Sequence, residues 1–247
     1  MTRRDARSSF VPYAYVFPGG KIDAADASPE AASRTLGLQA DRLTGEFRAS
    51  APAELPHEGA PLDTTQMAAL CVAALRELFE EAGILLARTS DGTFVEGAAV
   101  LDDAVQAQRD NVRGGTIAFD AFLASRGWYA DARELAYFSH WITPPSEPRR
   151  YDTHFFLARA PQDQAGAADA YETHDGIWIA PQEALARYKE RKLHLVYPTI
   201  KHLERLSGFT RVDDLLAFAR QKPVVTIMPT GSPYDYFKMP QTLEGVW

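Results

Sequence analysis

The residues most able to do chemistry lie together at positions 76–84, in the sequence Arg-Glu-Leu-Phe-Glu-Glu-Ala-Gly-Ile. On a helix, Glu77 and Glu81 are four residues apart and project from one face, with Glu80 close to Glu77. Carboxylates crowded in this way repel one another, and a hard divalent cation such as Mg²⁺ or Mn²⁺ uses the same oxygens as ligands. Arg76 lies four residues before Glu80, so the spacing predicts an ion pair between them that leaves Glu77 and Glu81 for metal.

A glycine-containing run lies upstream, with the sequence Phe17-Pro18-Gly19-Gly20-Lys21-Ile22-Asp23. The two runs together resemble the box of the Nudix hydrolases, Gly-x5-Glu-x7-Arg-Glu-U-x-Glu-Glu-x-Gly-U, where U is aliphatic. The second half of the box is matched without a gap. In the first half, Asp26 stands where the box has glutamate, and residues 27–75 form a far longer stretch than the seven residues that the box allows. We therefore expect residues 27–75 to contain an insertion that splits the box.

Later segments are similar to one branch of this family, the coenzyme A diphosphatases. The segments are Trp141-Ile142-Thr143-Pro144, Arg150-Tyr151-Asp152-Thr153, Phe155-Phe156 and Tyr197-Pro198-Thr199. The resemblance implies a Mg²⁺- or Mn²⁺-dependent enzyme that hydrolyses the diphosphate of a small nucleoside-diphosphate substrate, coenzyme A or acyl-coenzyme A. One alternative is an ADP-ribose or NADH pyrophosphatase. A ligand-binding regulator without turnover is an alternative of another class, and the intact glutamates argue against it.

The resemblance also implies roles for individual residues. Glu77 and Glu81 provide carboxylate ligands to the metal, and the backbone carbonyl of Gly19 completes the site. Glu80 either binds a second metal or holds Arg76 in place. Structural positions of the box are Gly20, Asp26 and Gly83.

The general base is expected on a loop before Trp178. The family often has a glutamate six residues before this tryptophan, and Glu172 occupies that place. His174 and Asp175 are rival candidates, because either could accept a proton from a metal-bound water. An ordinary loop glutamate is the alternative interpretation of Glu172.

Substrate contacts are predicted just before a strand. Arg149 and Arg150 carry guanidinium groups that match phosphate oxygens, although surface ion pairs would explain them equally well. Tyr151 and Phe155 could stack on an adenine ring, but aromatic residues in strands lie more often in the core.

The fold implied by the resemblance is the α/β Nudix fold, an α/β/α sandwich with a mixed central sheet and an inserted helical cap. The apolar patterns predict strands over 13–17, 84–87, 135–142, 153–158 and 177–179, and helices over 65–82, 181–191 and 198–206. One or two helices, broken at Gly114-Gly115, are predicted within 102–126. The chain is expected to form one domain over 1–247, with the insertion at 27–75, the cap at 101–127 and a C-terminal extension at 207–247.

Composition excludes several classes of protein. The net charge of −7 argues against a nucleic-acid partner, because the chain lacks the basic stripe that a phosphate backbone requires. It has no apolar run long enough for a membrane span and no signal peptide, which predicts a cytoplasmic protein. The single cysteine, Cys71, excludes an internal disulfide and is expected to be a buried structural thiol.

The resemblance implies a further apolar strand before the strand over 13–17, yet residues 1–10 are mostly charged and polar. Either the natural start lies upstream, or another segment such as 224–228 takes that place in the sheet. An unfilled gap would expose a sheet edge and favour a homodimer.

Overall fold

The computed structural model describes residues 1–3, 13–47, 62–165, 176–231, 237–245 and 247. The strands in these residues are β1 (Thr2–Arg3), β2 (Tyr15–Val16), β3 (Thr35–Leu36), β4 (Ala87–Arg88), β5 (Tyr129–Asp131), β6 (Ala136–Ile142), β7 (Asp152–Leu157) and β8 (Thr226–Ile227). The helices are α1 (Pro29–Ser33), α2 (Ala40–Glu46), α3 (Thr64–Ala82), α4 (Gly97–Val100), α5 (Asp103–Arg113), α6 (Phe119–Ser125), α7 (Gln162–Ala165), α8 (Pro181–Lys189), α9 (Tyr197–Leu206) and α10 (Val212–Gln221).

The longest helix, α3, is bounded by residues that cap it. Asp63 Oδ1 accepts a hydrogen bond from the Gln66 amide at 2.8 Å, and Gln66 Oε1 accepts one from the Asp63 amide at 2.9 Å, which is a capping box. Gly83 has a φ of 69°, the left-handed conformation that glycine adopts at helix C-termini. The predicted helix over 65–82 is therefore confirmed. The sequence analysis assigned residues 64–75 to the insertion. In the structure they belong to α3, the helix that carries Glu77, Glu80 and Glu81.

The strands form three small sheets with mixed pairing. β1 pairs antiparallel with β2, and the second sheet has the order β3-β5-β4, in which β3 is parallel and β4 antiparallel to β5. The third sheet has the order β7-β6-β8, in which β7 is antiparallel and β8 parallel to β6. The α/β class with mixed strand directions is confirmed, while the described strands are divided among three sheets rather than joined in one.

Helices α5 and α6 form the predicted cap and share a hydrophobic core with α3. Phe79 of α3 stacks on Phe122 of α6 with ring centroids 5.0 Å apart, and Phe122 packs edge-on against Trp128. Phe79 and Phe122 are almost completely buried. Because burying a phenylalanine side chain contributes about 1.5–3 kcal/mol, this stack fastens the cap to α3.

The predicted C-terminal extension is packed into the third sheet. Strand β8 pairs with the central strand β6, and the ring of Trp247 lies perpendicular to that of Trp141 with centroids 5.5 Å apart. The suggestion that residues 224–228 take the strand position before the Gly-Gly turn was wrong, because their strand β8 pairs with β6 and the partner of β2 is β1. A further strand comes from Thr2–Arg3, which pairs with β2, so the expectation that the first residues supply none was wrong.

Two short predicted strands were wrong. Of residues 84–87, Ala87 alone is in a strand, because the backbone of Leu85 bonds instead to the side-chain amide of Gln164 at 2.9 and 3.1 Å. Residues 177–179 form no strand, and Trp178 is 54% exposed. None of the helices in the described part of the chain has both the length and the apolar character that crossing a bilayer requires.

Candidate active site

Arg76 is the centre of a buried hydrogen-bond network in which each of its N–H groups donates. Nε donates to Asp26 Oδ1 at 2.9 Å, and Nη2 donates to Asp26 Oδ2 and to the Lys21 carbonyl, both at 2.9 Å. Nη1 donates to Glu77 Oε1 at 2.9 Å and to Glu80 Oε1 at 3.1 Å. Burial alone would lower the pKa of Arg76, but the bonded carboxylates, Asp26 above all, raise it, so the guanidinium stays charged.

The network confirms the predicted contact between Arg76 and Glu80 and corrects its extent. The prediction left Glu77 free of Arg76, whereas one oxygen of Glu77 accepts from the same Nη1 atom as Glu80. The bidentate partner of Arg76 is Asp26, whose side chain is 2% exposed. Asp26 itself is fixed by the Asp23 amide, which donates to Oδ2 at 2.8 Å. This geometry anchors the first half of the box to α3 across the whole insertion.

Glu77 lies directly against the Gly-Gly turn. A Cβ atom on Gly20 would stand 2.2 Å from Glu77 Oε1, far inside any real contact, so a side chain at this position would push the Glu77 carboxylate out of its place. Burial is the main cause that raises the pKa of the Glu77 carboxyl; Arg76 opposes the shift, and the charges of Glu80 and Glu81 add to it. Burial and the neighbouring carboxylates disfavour the ionised form of Glu77, and a nearby cation would stabilise that form.

Glu81 lies on the same face of α3, one turn further along. Its Oε2 atom accepts hydrogen bonds from the Gly19 amide at 3.2 Å and from Thr2 Oγ1 at 3.1 Å. The Gly-Gly turn therefore contacts both glutamates, Gly20 at Glu77 and Gly19 at Glu81. The contact from Gly19 is made by its amide, and the role of its carbonyl as a ligand stays a prediction.

A cavity of about 180 Å³ lies between α3 and the cap. Val72, Arg76 and Glu80 line its α3 side, and residues 112–120 of the cap contribute to the other side. Positions 72, 76 and 80 share a helix face that is rotated by about 100° from the face of Glu77 and Glu81. The cavity therefore borders the Arg76 network, and it is smaller than pockets that enclose a ligand of ordinary drug size.

Comparison with known proteins decides the family. The family model described as "NUDT19 Nudix domain" matches residues 1–206. The chain belongs to the Nudix hydrolases. A solved structure of a Nudix hydrolase from Alicyclobacillus acidocaldarius has the same fold, with a TM-score of 0.62 and 26% identity, and the match covers 87% of this chain and 86% of that one.

Curated relatives of this Nudix chain include acyl-coenzyme A diphosphatases. The chain is 31% identical to "Acyl-coenzyme A diphosphatase NUDT19" of Gallus gallus, covering 89% of this chain and 64% of the relative. It is 29% identical to the Homo sapiens protein of the same name, covering 88% and 62%. "Putative nudix hydrolase 7" of Caenorhabditis elegans is 26% identical, covering 84% and 55%. The chain thus spans less than two thirds of the length of these relatives.

The Nudix residues fit a hard divalent cation. Glu77 and Glu81 present carboxylate oxygens on one helix face, which is the donor type that Mg²⁺ prefers. The glycine at position 20 leaves space beside Glu77 that a side chain would fill. Glu80 is turned to Arg76 and its backbone carbonyl accepts from Arg109 Nε at 3.0 Å, so its position suits the role of holding Arg76.

The predicted substrate arginines lie in the exposed loop between β6 and β7. Arg150 Nε donates to the Thr143 carbonyl at 2.9 Å, and Tyr151 is tied to Thr143 through its amide and carbonyl. Arg149 is exposed in the same loop. Phe155 packs against the ring of His202 with centroids 4.3 Å apart, which places it in the core rather than at a ligand. Glu172, His174 and Asp175 lie outside the residues that the structure describes.

Sequence reasoning assigned no metal-ligand role to any histidine, yet the third sheet brings His140, Asp152 and His154 together. One ligand atom from each lies within 4.8 Å of the other two, and no other such trio occurs in the part of the chain that is described. The predicted strands contained the signal, since His140 and His154 are opposite one another in an antiparallel pair. The register needed to see it could not be read from the sequence.

Proposed function

We propose that this chain hydrolyses the diphosphate linkage of coenzyme A or acyl-coenzyme A, with Mg²⁺ or Mn²⁺ held by Glu77 and Glu81. The observation that carries the proposal is the seating of the Glu77 carboxylate between Arg76 and Gly20, with Glu81 beside Gly19. The substrate class is supported by the relatives named acyl-coenzyme A diphosphatase.

Glu77 and Glu81 are proposed to bind the cation, and Arg76 to hold Glu77 in position. A bound Mg²⁺ or Mn²⁺ would supply neutralisation of charge on the phosphate oxygens and activation of a water for attack. Glu77 and Glu81 hold that cation, and Arg76 fixes the rotamer of Glu77 through its hydrogen bond to Oε1. Glu172 is proposed as the general base, with His174 and Asp175 as rivals. Arg149, Arg150 and Tyr151 are proposed to contact the substrate from the loop between β6 and β7.

The inserted segment and the cap are proposed to set substrate choice, while the glutamates set the reaction. Helix α1 contributes Ala31 to the cavity beside Arg76, and the cap lines its other side. Leu43 and Phe47 of the insertion are buried, so deleting the whole segment would unfold the core. The informative change is to replace residues 48–61 by a short Gly-Ser linker, and to compare kcat/KM for coenzyme A and ADP-ribose. If the ratio of the two kcat/KM values is unchanged, residues 48–61 do not contribute to substrate choice.

The experiment that tests the function is a product screen. The chain is incubated with Mg²⁺ or Mn²⁺ and, in separate reactions, with coenzyme A, an acyl-coenzyme A, ADP-ribose or NADH, and products are identified by mass. Cleavage of the coenzyme A substrates at the diphosphate yields an adenosine bisphosphate and a phosphopantetheine. Faster cleavage of ADP-ribose or NADH would favour the alternative pyrophosphatase, and binding without products would favour the regulator. A homodimer and a cytoplasmic location stay predictions.

A further inference from the structure

A row of polar side chains crosses the third sheet from one edge to the other. His154 of β7 is the register partner of His140 on β6, and His140 is in turn the partner of Thr226 on β8. The two imidazole rings lie nearly parallel, with an interplanar angle of 7° and centroids 4.3 Å apart. Asp152 lies two residues before His154 on the same strand and therefore on the same face.

The nitrogen and oxygen atoms of this group converge on one point. Asp152 Oδ1 is hydrogen-bonded to His140 Nε2 and lies 3.5 Å from His154 Nε2. Ligands that bind a tetrahedral metal ion at about 2.0–2.1 Å are about 3.3 Å apart. A cation can thus enter with small side-chain rotations, taking the place of the proton between His140 and Asp152.

Both histidines are oriented from behind by a hydroxyl group. Tyr137 Oη lies 2.7 Å from His154 Nδ1, and Thr226 Oγ1 lies 2.9 Å from His140 Nδ1. A hydroxyl can accept as well as donate, so in the metal-bound form each can accept a hydrogen bond from Nδ1–H, which would leave the Nε2 lone pair for the metal ion. Hydrogen bonds to the second ring nitrogen are the usual support of metal-binding histidines.

The bulge in β6 makes this support possible. Tyr137 and His140 are three residues apart, so a regular strand would place them on opposite faces. The register shift between Tyr137 and Ser139 returns Tyr137 to the face of His154. Ser139 is adjacent to His140 and so faces the opposite side of the sheet, where its hydroxyl lies 2.6 Å from His202 Nε2.

The different exposure of the three side chains suits a metal ion that enters from one side. The side chains of His154 and His140 are 8% and 15% exposed, whereas Asp152 is 60% exposed. Both histidines are therefore enclosed by the protein, and the Asp152 carboxylate lies on the solvent side, from which an ion would enter.

We propose that His140, Asp152 and His154 bind a transition-metal dication of the Zn²⁺ class, at a site separate from the glutamates of α3. Two imidazoles and one carboxylate suit zinc, cobalt or iron, while Mg²⁺ prefers oxygen ligands and is held by carboxylates. The ion would cross-link β6 and β7 at the base of the loop that carries Arg150 and Tyr151. Its binding is independent of the hydrolytic reaction proposed for α3.

The test observes the imidazoles directly. The chain carries six histidines, and its ¹⁵N-labelled, chelator-treated form is titrated with Zn²⁺ in a Glu77→Gln/Glu81→Gln background that removes the other metal site. Nε2 resonances of His140 and His154, assigned by His→Gln variants, should shift in slow exchange, while Mg²⁺ leaves them in place. Exposed His194 supplies the control, because His194→Gln should not change the titration.

Two variants distinguish a metal site at His140, Asp152 and His154 from a hydrogen-bond network that binds no metal. Asp152→Asn removes an exposed ligand without endangering the fold and should weaken Zn²⁺ binding by roughly a hundredfold or more, and Tyr137→Phe should weaken it by about tenfold. Zn²⁺ that leaves both resonances unmoved would overturn the proposal. The same holds for shifts that persist undiminished in Asp152→Asn, since the ion would then be bound elsewhere.

Discussion

Replacing Arg76 by alanine should destabilise the fold more than any exposed ion pair can. The change removes five hydrogen bonds and leaves Asp26, with a side chain 2% exposed, as a buried carboxylate without its bidentate partner. Removing one member of a buried ion pair costs roughly 3–5 kcal/mol. For a domain of this size each kcal/mol lowers Tm by about 2–4 °C, so we expect Tm to fall by roughly 10 °C.

Graded substitutions test whether geometry or charge matters. Arg76→Lys keeps the charge but has three donors instead of five, so at least two bonds are lost and we expect an intermediate cost of roughly 2–3 kcal/mol. Asp26→Asn should cost less than Arg76→Ala, because Glu77 and Glu80 still pair with the arginine.

The matched control is Arg187, which forms the same type of i, i+4 pair with Glu183 but is about half exposed. Arg187→Ala should change stability by less than about 0.5 kcal/mol. Urea unfolding followed by circular dichroism measures all four variants. The reasoning is refuted if Arg76→Ala lies within about 1 kcal/mol of the unmodified chain, or if Arg76→Lys is indistinguishable from it.

Two further predictions concern the site and the pH dependence of stability. Gly20→Ala should sharply reduce diphosphate hydrolysis, because its Cβ would displace the Glu77 carboxylate. The control is Gly45→Ala, which should keep the rate because the space around Gly45 is open. Equal rates for the two variants would contradict the position described for Glu77. Burial lowers the pKa of His202 to about 4, so the unfolded chain takes up a proton near pH 6.5 that the native chain refuses, and stability is lost as pH falls from there. Between about pH 7.5 and about pH 5 this histidine should account for about 2 kcal/mol of lost stability, measured as the part of the urea-unfolding difference that disappears in His202→Gln.

Local signals in the sequence were enough to predict the helix that carries the glutamates. Asp63 caps its start, Gly83 ends it, and the apolar spacing defines its buried face. The Arg76–Glu80 contact follows from the same helical spacing. These features depend on residues a few positions apart, so no tertiary information was required.

Contacts between distant residues could not be predicted in the same way. Asp26 and Arg76 are 50 residues apart, and their pairing depends on how the insertion returns the chain to α3. The His140–Asp152–His154 group depends on strand register and on the bulge in β6. A segment such as Val212–Gln221, which mixes charged and apolar residues, was not predicted as a helix although it forms α10.

The most direct test of the central claim is the rate of acyl-coenzyme A cleavage as a function of Mg²⁺ concentration, measured for the unmodified chain and for Glu77→Gln and Glu81→Gln. Each substitution deletes a charged ligand, so turnover at saturating Mg²⁺ should fall on the order of a thousandfold with the fold intact. Glu30→Gln, an exposed glutamate of α1, should leave the rate unchanged. Near-normal turnover in either Glu77→Gln or Glu81→Gln would contradict the assignment of the metal site.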